Sequence, residues 1–114
     1  MTSSIASITF DATDAADLAA FWSAVLGRNV VPEPSEFFAI LEGSPMMMFI
    51  KVPEPKTAKN RCHLDLGTDD VSAEVKRLDE LGAEFVHEKE EFGINWTTLR
   101  DPQGNEFCVS ARRD

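Results

Sequence analysis

The chain reads as an α+β fold: two βαβββ modules forming a curved mixed β-sheet around a cleft, with the helices outside. Three observations predict it. Short strand-like runs of 4–8 residues are spaced by turn signals along the chain. Two longer segments, 14–26 and 71–81, instead carry apolar residues at helical spacing. Finally, Thr13-Asp14 and Leu26-Gly27 recur as Thr68-Asp69 and Leu81-Gly82 at an offset of 55 residues, an internal repeat of supersecondary structure. Neither half can bury its helix stripe alone, so the two sheets are expected to share a core and curl around a concave face.

In the first half, Ile8, Phe10 and Ala12 alternate with Ser7, Thr9 and Asp11, which predicts a strand over 5–12. Thr13 or Asp14 offers a helix N-cap, and Asp17 opposes the dipole in the first turn. Leu18, Phe21, Trp22, Val25 and Leu26 form the stripe of the first helix, and Gly27 stops it. Val30-Val31 begins a strand that Pro32 and Pro34 break. Strands over 37–41 and 46–52 flank the turn Glu42-Gly43-Ser44-Pro45. Module one thus spans about 5–53, and the proline-broken segment 53–60 is a linker.

Module two spans about 61–112. It opens on a strand over 61–66 and turns through Gly67-Thr68-Asp69-Asp70 into a helix over 71–81. Val71, Val75, Leu78 and Leu81 form the stripe of that helix, and Gly82 stops it. Residues 84–87 read as a strand and 88–93 as a charged loop over the cavity mouth. A strand over 95–100, the tight turn Asp101-Pro102-Gln103-Gly104-Asn105 and a strand over 106–111 complete the module. Arg112-Arg113-Asp114 reads as a tail.

Length suits a single domain, 114 residues with 43% hydrophobic content. The net charge of −9 repels phosphate backbones and anionic lipid. Nucleic acid and membrane surfaces are therefore poor partners, and a neutral or cationic small molecule is the better one. No basic leader and no run near 20 apolar residues is visible, so a cytoplasmic home and two reduced thiols, Cys62 and Cys108, are expected.

The chemistry concentrates in Arg61-Cys62-His63-Leu64-Asp65-Leu66. Strand alternation sends Cys62, Leu64 and Leu66 under the helix, and Arg61, His63 and Asp65 to the other face. Arg61 can clamp a carboxylate or phosphate of a ligand, or pair with Asp65 or Glu106. Trp96 is expected as a pocket wall, since a strand tryptophan needs a partner for its N–H. Met46-Met47-Met48-Phe49 offers adaptable apolar surface, either for a ligand, with Phe49 among its contacts, or as plain core or dimer interface. His87 is assigned a cap, loop or solvent role. No Gly-x-Ser-x-Gly and no phosphate-binding glycine loop is present, and His63 is the only base near Cys108.

Asn60-Arg61-Cys62-His63-Leu64-Asp65-Leu66 and Asp101-Pro102-Gln103-Gly104-Asn105-Glu106-Phe107, with Phe21-Trp22 and Leu26-Gly27, carry a resemblance. The doubled unit resembles the vicinal oxygen chelate superfamily, in particular its short glyoxalase-like and bleomycin-resistance-like members. The resemblance implies a homodimer and a ligand cleft. It implies metal ligands at His63 and Glu106 for a divalent ion such as Mn, Fe, Zn, Ni or Co in the metal-dependent members, with Glu106 or a bound water moving the proton. The first half departs from the pattern: it has Ser7-Ile8-Thr9 and Phe49-Ile50-Lys51 where a histidine and a glutamate are expected. Two readings follow. One is a protein that binds a small apolar or mixed ligand through Arg61, His63, Asp65, Trp96 and Phe49, without a complete metal site. The other is a divalent-metal lyase, isomerase or dioxygenase-like enzyme using His63 and Glu106.

Overall fold

The computed structural model describes residues 1–112. Arg113 and Asp114, the end of the expected tail, lie outside the described residues. The chain forms two compact units, Met1–Pro55 and the segment from Lys56 onward, and each builds its own mixed sheet against one helix. Among the described residues no helix is long and apolar enough to cross a membrane.

The first unit contains β1 (Ser7–Ala12), α1 (Ala15–Leu26), β2 (Phe38–Leu41) and β3 (Met46–Lys51). Its strand order is β1-β3-β2, with β1 parallel and β2 antiparallel to β3. Asp14 caps α1 by accepting from the Asp17 N–H, and Gly27 closes it at φ +67. Cross-strand register aligns Phe10, Phe49 and Ala39 in one row facing α1. There Phe10 stacks obliquely on Trp22 and on Phe49, with ring centroids 5.8 and 5.4 Å apart. The expected strand at Val30-Val31 shrinks to a single bridge, Val30 to Leu41, as the two prolines dictate.

In the second unit, β4 (Asp65–Thr68) leads into α2 (Val71–Leu81). Then come β5 (Glu84–Glu91), β6 (Ile94–Arg100) and β7 (Glu106–Ala111). The order is β4-β7-β6-β5, with β4 parallel to β7 and the other pairs antiparallel. Leu78, Leu99, Phe107 and Val109 are its fully buried core. Of the expected α2 stripe only Leu78 is buried, and Leu81 is exposed.

Three expectations are corrected here. First, the opening strand starts at Asp65, not Arg61. Backbone pairing reaches only as far as the Leu64 carbonyl, which accepts from the Cys108 N–H at 2.9 Å. Before it, the Asn60 side chain takes over the ladder: its amide N donates to the Glu106 carbonyl at 3.1 Å and its amide O accepts from the Glu106 N–H at 3.3 Å. Arg61 and Cys62 are therefore exposed, and Cys62 does not lie under α2. Second, the charged run 88–91 is no loop. It extends β5 to Glu91, where a two-residue turn, Phe92-Gly93, hands the chain to β6. Both turn residues have positive φ, +55 and +75, the geometry that matches the twist of a hairpin. Third, the repeat is not uniform: the N-caps Asp14 and Asp70 are 56 residues apart, whereas Gly27 and Gly82 are 55 apart, because α1 is one residue longer than α2.

Candidate functional site

The register of the second sheet assembles the site. Asp65 on β4 lies opposite Cys108 on β7, Cys108 opposite Thr98 on β6, and Thr98 opposite His87 on β5. One row of four side chains thus crosses the whole sheet on one face. Trp96 and Lys89 form a neighbouring pair on that face, and Glu106, Arg100 and Glu84 form another row. The opposite face carries Val109, Phe107 and Leu99, all buried.

A bulge in β5 puts His87 in this row. Phe85 pairs with Leu99, but His87 pairs with Thr98, so one residue is extra in β5. Simple alternation from Phe85 would turn His87 toward the helix side. The extra residue reverses the facing of everything after it, which is how bulges re-aim side chains.

A cavity of about 360 Å³ opens on this face. Phe92, Ile94 and Trp96 give it an apolar wall. His63, Asp65, His87, Lys89, Glu106 and Cys108 give it polar groups. Size and mixture match a site for a small organic molecule, apolar walls fixing affinity and a few polar groups fixing orientation.

The polar groups fall into two sets. His63 Nε2 lies 3.3 Å from Asp65 Oδ1, and the Cys108 Sγ lies 3.4 Å from the Thr98 hydroxyl. Burial pushes the Cys108 thiol above its ordinary range; the Thr98 hydrogen bond and Lys59 oppose the rise, while Asp65 and Glu106 add to it. Glu106 belongs to the other set. Its carboxylate, mostly buried, lies between Lys59 Nζ at 3.5 Å and Arg100 at 3.7 Å, and Arg100 also donates to Glu84 at 2.8 Å. The Asp101 turn places Glu106 at the start of β7. Buried Asp101 accepts from the N–H groups of Gln103 and Asn105 at 2.9 and 3.0 Å and from the Asn105 side chain at 2.9 Å. Gly104, at φ +91, completes that turn.

Of the residues expected at the site, His63, Asp65, Trp96 and Glu106 line the cavity together. Arg61 is exposed and is not among the lining residues. Phe49 is a correction: it is fully buried in the first unit, packed on Phe10, because alternation from Met46 turns it to the α1 side. Its neighbours Met48 and Ile50 carry the other face. Two lining residues, His87 and Lys89, come from segments that the sequence reads as a cap, loop or solvent position and as a charged loop; the signal for them is the length of uninterrupted extended sequence before Gly93.

The metal pair implied by the resemblance does not fit these side chains. Both Glu106 oxygens face cations, and a neighbouring Lys and Arg disfavour a divalent ion there. His63 turns to Asp65 instead. At the positions equivalent to His63 and Asp65 by the 56-residue spacing of the N-caps, the first unit has Ser7 and Thr9, neither of them an imidazole or a carboxylate.

The Glyoxalase-like domain family model matches residues 7–110. The fold is similar to that of a glyoxalase/bleomycin resistance protein/dioxygenase family enzyme from Burkholderia phytofirmans PsJN, with TM-score 0.79 and 18% identity, covering 96% of this chain and 98% of that one. It is also similar to a mutant of the fosfomycin resistance protein FosX from Listeria monocytogenes, solved with Mn(II) and 1S,2S-dihydroxypropylphosphonic acid. That similarity has TM-score 0.80 and 14% identity, over 99% of this chain and 93% of that one. A lactoylglutathione lyase from Agrobacterium tumefaciens gives TM-score 0.68 and 21% identity, over 96% and 94%. No curated protein sequence matches the chain significantly.

Proposed function

Because the chain belongs to the glyoxalase-like domain family, we propose that it binds a small aromatic or mixed apolar–polar molecule on the face of its second sheet away from α2, without metal-dependent turnover by a His63–Glu106 pair. The observation that carries this reading is the cavity itself. An indole and two further apolar side chains sit beside two imidazoles, three carboxylates and two lysines, most of them on the strands of one sheet. Rigid elements hold such groups in place better than loops do. The ion pairs on Glu106 support a binding role over a proton-moving one, since both its oxygens already have cationic partners.

The cavity holds both signs of charge, and the chain as a whole is strongly acidic. That favours a neutral or cationic guest over an anion. We extend the reading to a cytoplasmic homodimer, in line with the expectation from sequence; light scattering on the purified chain reads the oligomeric state.

The test uses benzyl alcohol, benzylamine and benzoate as neutral, cationic and anionic probes of one ring system. Calorimetry and tryptophan fluorescence should show binding of the first two above the third. Trp96→Phe should remove the fluorescence response and leave the signal of buried Trp22. A response that survives in Trp96→Phe, or an anion-first order, contradicts the reading.

A further inference from the structure

We propose that His63, Asp65 and Cys108 form a three-ligand site for a borderline-soft divalent cation of the zinc class, opening into the cavity. His63, Asp65 and Cys108 each offer one ligand atom, and the three atoms lie within 4.8 Å of one another. This set is distinct from the His63–Glu106 pair, because Glu106 is held by Lys59 and Arg100. It shares lining residues with the cavity of the organic ligand proposed above, but does not rest on that reading: the metal alone is the probe, so the two readings fail separately.

Local structure explains the grouping. Asp65 and Cys108 are register partners on the parallel strands β4 and β7, so their side chains emerge side by side on one face. His63 lies two residues before Asp65, and its Nε2 already points at the Asp65 carboxylate, 3.3 Å away. His63 and Asp65 are exposed while Cys108 is buried, so the imidazole and carboxylate can close over a fixed sulfur.

The donor set selects the ion. One sulfur, one imidazole nitrogen and one carboxylate oxygen suit zinc, cobalt or cadmium; magnesium and calcium prefer all-oxygen shells. Three protein ligands with a fourth position toward a cavity is the open arrangement of zinc sites that admit water or another molecule. On binding, the S–H bond breaks and a sulfur–metal bond forms; the proton leaves to solvent, and no electron moves. The Thr98 hydroxyl, 3.4 Å from the sulfur, can donate to the thiolate so formed and orient it.

The experiment titrates the reduced full-length chain with Cd(II) and, in parallel, Co(II), reading the thiolate-to-metal charge-transfer band. The expected result is one equivalent bound, with that band present. Cys108→Ser should abolish the band and Cys62→Ser should retain it. Asp65→Asn should weaken binding by about tenfold or more; because Asp65 is exposed, this variant tests the site even if Cys108→Ser folds poorly. Absence of a thiolate band at saturation overturns the proposal, as does a band that follows Cys62. Binding that survives Asp65→Asn unchanged but is lost in Glu106→Gln also overturns it, assigning the ion to the His63–Glu106 pair.

Discussion

The two sheets share a plan and differ in what they present. In the first, the face away from α1 aligns Thr9, Met48 and Ile40 in one row and Asp11, Ile50 and Phe38 in the next. In the second, the corresponding face aligns Asp65, Cys108, Thr98 and His87. The helix-facing rows at the centre of each sheet are apolar, Phe10, Phe49 and Ala39 in one and Leu99 and Phe107 in the other, while Val109 in the second sheet lies opposite buried Thr97. The repeat therefore conserves packing and varies chemistry at alternate positions, which the period of two makes separable. A second difference is the fourth strand. Two prolines reduce it to a bridge in the first unit, whereas eight residues of β5 in the second supply His87 and Lys89 to the cavity.

If this division is right, substitutions on the two kinds of face must behave differently. The largest effect is expected from Phe49→Ala. Truncating a fully buried phenylalanine should cost about 3–5 kcal/mol, measured by chemical denaturation, with ligand affinity of the folded protein unchanged. Loss of affinity without loss of stability would return Phe49 to the site. Next, Asp101→Ala removes the acceptor that holds Gln103 and Asn105 in the β6–β7 turn and should cost about 1–3 kcal/mol. Because that turn positions Glu106, probe affinity should fall as well.

How far these roles were legible in the sequence differs by face. Both helices and their glycine stops were, since Asp14, Gly27 and Gly82 carry the local chemistry that starts and stops a helix; the repeat pointed to Asp69 for the second cap, which is Asp70. Asp65, Trp96 and Glu106 were legible as one cluster because alternation and turn chemistry set their facing, and His63, just before the strand, joins them through its contact with Asp65. His87 was not: a one-residue bulge reverses its facing, and nothing local marks it. The start of β4 is not legible either, because a side chain, Asn60, replaces backbone pairing beside Glu106. The facing of Phe49 is not legible, because a run of five apolar residues, Met46 to Ile50, gives no alternation by which to choose a face.

A smaller effect concerns the thiols. The folded state holds Cys108 protonated beyond the ordinary thiol pKa of about 8–9. Its stabilising contribution is complete below that range. As pH rises the unfolded chain loses this proton first, so stability should decline above about pH 8–9 and continue falling until the folded thiol also ionises. Cys108→Ala should flatten that limb of the stability profile, and at neutral pH iodoacetamide should label exposed Cys62 well before Cys108. The smallest effect is at the hairpin tip. Phe92 holds a left-handed φ of +55 while almost fully exposed. Phe92→Asn should raise stability by about 0.5–1 kcal/mol and lower probe affinity, a trade between turn geometry and the cavity wall.

The most direct measurement is a backbone amide NMR titration of the uniformly labelled chain with benzyl alcohol. The account predicts shift changes clustered at His63, Asp65, His87, Trp96 and Cys108, with the amides of Thr9, Met48 and Ile50 still. Changes centred on the first sheet, or a saturating titration that leaves the Trp96 indole N–H unmoved, would contradict it.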